Sequence, residues 1–231
     1  MCYIMGKGGI LMTEQKKEQQ SKTEQEKKSE KELSCCNCNV YNCRNQNSHY
    51  PAFCLTTKVS EEEKKEIASI YASDTIDGIM ARTAASIEGE FYCQKTRVEE
   101  TILFAQRIGA KKVGVATCFG LINEAKTFCK VLEKNGIAYY CVICKVGGVD
   151  KREMKLPEDK KIHPYMDEVM CNPILQARIL NRQKTDLNVT MGLCVGHDAL
   201  FNKYSEAPVT NLIAKDRVLG HNPCAALYSN Y

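Results

Sequence analysis

KKVGVATCFGLINEAKTFCKVLEKNGIAYYCVIC, residues 111–144, decides the architecture. Lys112–Thr117 reads as a strand. A helical pattern runs from about Gly120 to Asn135 and stops at Gly136. Ala138–Cys144 reads as a second strand. Strand, helix, strand at this spacing is a βαβ unit, which pairs its strands in parallel through a right-handed crossover.

The alternation continues downstream. Pro173–Gln183 reads as a helix with Asn172 as N-cap and Pro173 at its first position. A strand at Leu187–Leu193, a helix at Asp198–Tyr204 and a strand at Val209–Ala214 follow. A short helix starts at Asn222-Pro223. Upstream, Ser60-Glu-Glu-Glu63 is a capping box, S-x-x-E, opening a helix with an apolar face of Ile67, Ile70 and Tyr71. Ile76–Phe91 continues as helix. Thr96-x-x-Glu99 is a second capping box, and its helix ends at Gly109. The fold class is therefore α/β: a three-layer sandwich with a roughly four-stranded parallel sheet, preceded by helices. Neither G-x-G-x-x-G nor a P-loop is present.

Three of the expected strands run into a cysteine: Val113–Cys118, Tyr139–Cys144 and Leu187–Cys194. The carboxyl ends of parallel strands share one edge, where open α/β folds place ligands. Cys118 lies between a strand end and a helix start, which stabilises a thiolate. Cys194 holds the matching place in Gly192-Leu-Cys194-Val-Gly-His197-Asp198. Cys-x-x-His is a metal-ligand pair or a nucleophile beside a base. Cys171 and His221 each precede an Asn-Pro helix start. The edge set is thus Cys118, Cys144, Cys171, Cys194, His197 and His221, read as cofactor-binding, with Cys118, Cys194 and His197 the catalytic candidates. Asp198 either orients the His197 ring or occupies a first helical turn. Asp216 and Arg217 follow the last strand at the same edge. The competing reading is ordinary buried thiols, since free cysteine is among the most buried residue types. That reading suits Cys93, Cys129, Cys141 and Cys224 better.

A second group is Cys35-x2-Cys38-x4-Cys43-x10-Cys54. Thiolates are soft ligands suited to zinc or iron–sulfur clusters. The x2 spacing brings two sulfurs to one centre from a tight turn, and binding would fold a loop that has no core. Cys36 is an alternative first ligand and His49 an alternative to Cys54. The expected organisation is a tail at 1–33, a cysteine-rich metal knuckle at 34–57 and an α/β domain at 58–231. Met12 competes with Met1 as the natural start.

The chain has 231 residues, 14 of them cysteine, and a net charge of +4. Its Thr13–Leu33 stretch carries six Lys against six Glu. A nucleic-acid arm would be unbalanced toward cations, and Trp is absent, so a nucleic-acid partner is not expected. The Met1–Met12 start fits neither a signal peptide nor a membrane span. Reduced thiols in the cytoplasm are the expectation.

Taken together, certain motifs resemble one prokaryotic family of unknown function described as cysteine-rich, uncharacterised metal-binding proteins. They are Cys35-Cys-Asn-Cys38-Asn-Val-Tyr-Asn-Cys43-Arg44, Thr96-Arg-Val-Glu-Glu100, Cys144-Lys-Val-Gly147, Met170-Cys-Asn-Pro-Ile174, Gly192–Asp198, Ala207-Pro-Val-Thr210 and Lys215–Pro223. The resemblance spans Ser34 to Tyr231. It carries over Cys35, Cys38, Cys43, Cys54, Cys118, Cys144, Cys171, Cys194, His197 and His221. Cys36, Cys93 and Cys224 fall where it calls for no cysteine. It implies metal binding and supplies no reaction.

Two functions compete ahead of a third, a nucleic-acid-binding zinc protein, which the balanced tail and the absence of an aromatic platform argue against. One is a redox protein or enzyme in which Cys35, Cys38, Cys43 and Cys54 hold an iron–sulfur cluster beside a thiolate-rich sheet edge, with an electron-transfer partner. The other is a zinc-stabilised module that binds or senses a small molecule or metal without catalysis.

Overall fold

The computed structural model describes residues 32–46 and 49–229. The expected tail and the choice of start codon lie almost wholly outside these. The chain divides into two compact units, one ending at Ala68 and the other beginning at Ser69.

In the first unit, Cys35–Asn37 is a 3-10 turn and Asn42–Asn45 a single helical turn. Helix α1, Glu61–Ala72, begins in the first unit and ends in the second, and it opens as expected: the Glu63 amide donates to Ser60 Oγ at 3.1 Å. The apolar face expected on it is not buried, since Ile67, Ile70 and Tyr71 are all exposed. A capping box fixes where a helix starts, and carries no information about what covers its face.

The second unit contains α2 (Ile76–Phe91), α3 (Arg97–Arg107), β1 (Lys112–Thr117), α4 (Ile122–Lys134), β2 (Ala138–Ile143), α5 (Pro173–Arg182), β3 (Leu187–Met191), α6 (His197–Tyr204) and β4 (Val209–Ile213). The Thr96–Glu99 capping box forms in full. Asn172 caps α5 by accepting from the Leu175 amide at 3.1 Å. Asn222 makes no such bond, and the last helix is a 3-10 segment, Pro223–Tyr228.

All four strands are parallel, in the order β2-β1-β3-β4. Side chains alternate across the sheet and build two cores. Val113, Val115, Leu187, Val189 and Met191 pack with Ile102 and Ala105 of α3 and Phe128 and Leu132 of α4. Ala116 and Val142 pack on the other face with Ala177 and Leu180 of α5 and Phe201 of α6. Helices thus cover both faces, giving the expected three-layer sandwich. Each fully buried Leu or Phe contributes about 1.5–3 kcal/mol, so these layers hold the sheet ends in place.

No helix among the described residues is long and apolar enough to cross a membrane.

Candidate functional site: a thiol chain at the topological switch point

Strand order reverses between β1 and β3: β1 leads to β2 on one side, and the chain then returns to the other. The crevice outside the carboxyl ends of such strands is the usual ligand position in open α/β sheets. Cys118 directly follows β1, Cys144 directly follows β2, and Cys194 lies three residues beyond β3.

Backbone bonds knit these segments together. The Cys144 amide donates to Thr117 O at 2.8 Å, and the Cys118 amide to Met191 O at 3.1 Å. The Asn172 amide donates to Cys144 O at 2.7 Å. That last bond returns Cys171 to the site after a long excursion. The excursion is closed by an antiparallel bridge between Asp150 and Val169. The Met170 amide also donates to Val149 O at 2.8 Å, and Lys151 pairs with Glu168 at 2.5 Å.

The side chains form a continuous series. Lys215 contacts Cys118, Cys118 contacts Cys144, Cys144 contacts Cys171, and Cys171 contacts His197. Hydrogen bonding from Cys144 lowers the Cys118 thiol to about 5, helped by the Gly120 amide and Lys215. The same Cys144 lowers Cys171 to about 4, helped by His197 and the charge of Lys145. Cys144 itself is pushed up, because its proton serves both neighbours. The Phe119 amide donates to Cys144 Sγ at 3.3 Å and opposes that rise. The two flanking sulfurs outweigh one long amide contact, so Cys144 is the neutral thiol between two thiolates.

Cys194 stands outside this series. Its sulfur accepts from Arg217 Nη2 at 3.0 Å. His221 is folded onto its own turn, where Nδ1 accepts from the Asp216 amide at 3.0 Å. Asp198 does not orient His197: its Oδ1 accepts from the amides of Gly196 and Ala199, a first-turn role. Asp216 likewise accepts from the Val218 and Leu219 amides.

Four contributors escaped the sequence reading: Lys145, Lys215, Gln176 and the Phe119 amide. Lys145 and Lys215 carry a positional signal, each following a strand end as closely as the cysteines do. Gln176 carries none. It is fully buried, and its Nε2 donates to Thr117 O at 3.1 Å and Val142 O at 2.7 Å. One amide thus ties the ends of β1 and β2 to the first turn of α5, the three segments that bear Cys118, Cys144 and Cys171. Its Oε1 has no hydrogen-bond partner. Gln176→Leu is expected to destabilise the protein by about 2 kcal/mol, since two buried carbonyls lose a donor. A lower urea midpoint at unchanged slope would record it.

On the other face of the sheet, Cys129 and Cys141 contact each other within the core. Cys93 and Cys224 are exposed. A cavity of about 810 Å³ lies at the amino ends of β3 and β4, lined by Met80, Ala84, Ile87, Phe104, Leu187 and Val209. It holds none of the cysteines.

In the first unit, Cys35 and Cys43 are exposed and Cys38 and Cys54 half-buried. The Cys38 amide donates to Cys35 O at 3.1 Å, forming the tight turn expected for the x2 pair. Asn42, which is buried, donates from Nδ2 to His49 O. The Cys54 thiol is lowered, chiefly by a hydrogen bond with Thr56. Among the described residues, no three His, Cys, Asp or Glu side chains converge in metal-holding geometry.

These features define an open parallel α/β protein whose switch-point crevice is lined by cysteines. The chain belongs to the family described as "Protein of unknown function (DUF1847)", whose model matches residues 54–212. It is 48% identical over 177 residues to the uncharacterized protein MJ0455 of Methanocaldococcus jannaschii, covering 77% of this chain and 85% of that one. The family match takes in Cys54, Cys118, Cys144, Cys171, Cys194 and His197. It is narrower than the resemblance expected from Ser34 to Tyr231, leaving out Cys35, Cys38, Cys43 and His221. Its description does not mention a metal.

Proposed function

We propose that this protein is a thiol-based redox protein whose sheet-edge cysteines cycle between a dithiol and a disulfide. The observation that carries this reading is the contact series Cys118–Cys144–Cys171–His197 at the switch point. Cys171 is the attacking thiolate, Cys144 the resolving thiol, and His197 the group in hydrogen-bond reach of the reacting sulfur.

The chemistry closes with a low-molecular-weight disulfide, RSSR, as oxidant. The Cys171 thiolate attacks one sulfur, forming Cys171–S–S–R and releasing RS⁻. Cys144 gives up its proton to the RS⁻ already released and attacks Cys171 Sγ, forming the Cys144–Cys171 disulfide and releasing a second RS⁻, which solvent protonates. The Phe119 amide is placed to receive the negative charge that Cys144 then develops. The two electrons reduce RSSR to two thiols, and a dithiol reverses the cycle. Such a cycle needs a compartment that regenerates the thiols, so a cytoplasmic location is part of the proposal.

The pH dependence of alkylation tests the attacking group. A thiol lowered to about 4 is already thiolate at pH 6. Its reaction with iodoacetamide gains almost nothing between pH 6 and pH 8, whereas a free cysteine in solution gains about 100-fold. The profile discriminates better than the absolute rate, because a less basic thiolate is also a weaker nucleophile. A hundredfold rise at Cys171 would contradict the assignment.

The N-terminal group supports a separate metal role. Four thiols on short turns match the donor set of a zinc ion or an iron–sulfur cluster, and ligand convergence would accompany binding. We propose that Cys35, Cys38, Cys43 and Cys54 hold one of these. Anaerobically purified protein is expected to carry zinc, or iron with sulfide and visible absorption, at about one site per chain. Metal-free protein that folds normally would contradict this.

A further inference from the structure

The thiol crevice is lined by more positive charge than its own thiolates require once it is oxidised. Three cations face it from two segments, those that follow β2 and β4. Lys145 follows β2 and acts on Cys171. Lys215 follows β4 and hydrogen-bonds to Cys118. Arg217, two residues on, donates to Cys194 Sγ at 3.0 Å and lies within the field of Cys118 and Cys171. Among the described residues, none of the three forms an ion pair with a carboxylate. Asp198 and Asp216 are both turned onto backbone amides of their own turns.

In the reduced protein the Cys118 and Cys171 thiolates offset two of these three positive charges. Forming the Cys144–Cys171 disulfide removes the Cys171 charge and takes the Cys144 proton donor away from Cys118. The cations remain fixed: Lys145 Nζ is anchored on Val169 O at 2.5 Å, and Arg217 sits on the turn held by Asp216 and His221. An uncompensated cationic crevice beside a fresh disulfide fits a ligand that brings its own anion.

We propose that the redox partner of this site is an acid-bearing small thiol and its disulfide, whose carboxylate, sulfonate or phosphate is held by Lys145, Lys215 and Arg217 while its sulfur exchanges with Cys171. This rests on the dithiol reading given above. It adds the substrate class: an anion next to the reacting sulfur, in place of a neutral or cationic disulfide. The bond changes are those already written, and the ligand's acid group takes no part in them.

Three probe disulfides of similar size separate the alternatives: 3,3′-dithiodipropionate (anionic), bis(2-hydroxyethyl) disulfide (neutral) and cystamine (cationic). The reduced full chain is mixed with each at pH 6 and low salt, and modification of Cys171 is followed by quenched mass spectrometry. The anionic probe is expected to react at least tenfold faster than the cationic one, with the neutral probe between. Half-molar salt should erase most of that ratio, because the cations are solvent-accessible. Arg217→Gln and Lys215→Gln should each lower the ratio while still giving the Cys144–Cys171 disulfide. The readout is a selectivity ratio, so a general change in thiol reactivity does not mimic it. Equal rates with all three probes, or a faster cationic probe, would overturn the anionic class and leave the dithiol reading standing. Failure of every probe to yield the Cys144–Cys171 disulfide would overturn both.

Discussion

Serine at position 144 is expected to stop the sheet-edge cycle after its first step. Cys171 keeps its helix-start position, its contact with His197 and the charge of Lys145, so it still attacks a small disulfide. The serine hydroxyl preserves a donor between Cys118 and Cys171 but cannot resolve the mixed disulfide. The protein should accumulate as Cys171–S–S–R. Resolution by a second small thiol from solution is slower by about 100-fold or more, because a neighbour already in contact reacts at an effective concentration far above millimolar. Cys118→Ser should leave resolution intact, since the contact series places Cys144, and not Cys118, against Cys171. Peptide mapping at pH 6 separates these outcomes. A Cys144→Ser protein that clears its adduct at the wild-type rate would remove Cys144 from its role.

Gly114→Ala is expected to have the largest effect on stability. Gly114 lies in β1 against the α5 layer, and an added Cβ would run into Asn188 Oδ1 and come within 2.9 Å of Leu180 Cδ1. Asn188 cannot step aside cheaply. It is fully buried, its Oδ1 accepts from Thr185 Oγ1 at 2.8 Å, and its Nδ2 donates to Ser205 Oγ at 2.8 Å. Overpacking costs about 1–3 kcal/mol, and displacing a buried amide from its partners adds about 1–3 kcal/mol. A loss near 4 kcal/mol is a large share of a domain's total stability. Asn188→Ala removes the obstacle at its own cost, so the double variant should be more stable than the sum of the two single losses implies. Urea unfolding of the four proteins measures this, and simple additivity would contradict the packing account.

Local chemistry made most of the fold legible. Ile76–Phe91, the Thr96–Glu99 box, Lys112–Thr117 and the Asn172-Pro173 helix start rest on capping and periodicity acting within a few residues. Parallel pairing followed from the alternation of strands and helices. The face of α1 was not legible, because exposure of Ile67, Ile70 and Tyr71 depends on what lies opposite them.

The site was half legible. Strand ends carrying Cys118, Cys144 and Cys194 pointed to one edge, and Cys171 was placed there by its helix-start position. The sequence did not reveal that Cys144 would sit between the other two thiols, nor that Cys194 would turn to Arg217. The first depends on the closure of the Cys144–Cys171 excursion through Asp150, Val169 and Glu168, and the second on the pairing of β3 with β4, contacts between residues far apart in the chain. His221 shares the motif of Cys171, yet its ring is taken up by the Asp216 amide, a local competition that spacing does not show. Gln176 was invisible for the opposite reason: a glutamine in a helix looks solvent-facing unless its two strand carbonyls are already in view.

The central claim is that Cys171 and Cys144 exchange electrons as a pair. The most direct measurement is disulfide mapping of the reduced, full-length protein after brief treatment with a small disulfide at pH 6, where ordinary thiols are little ionised. The account predicts a Cys144–Cys171 cross-link as the first product, ahead of any bond at Cys129–Cys141 or among the N-terminal cysteines. Cys144 and Cys171 remaining as separate thiols while other cysteines oxidise would contradict it.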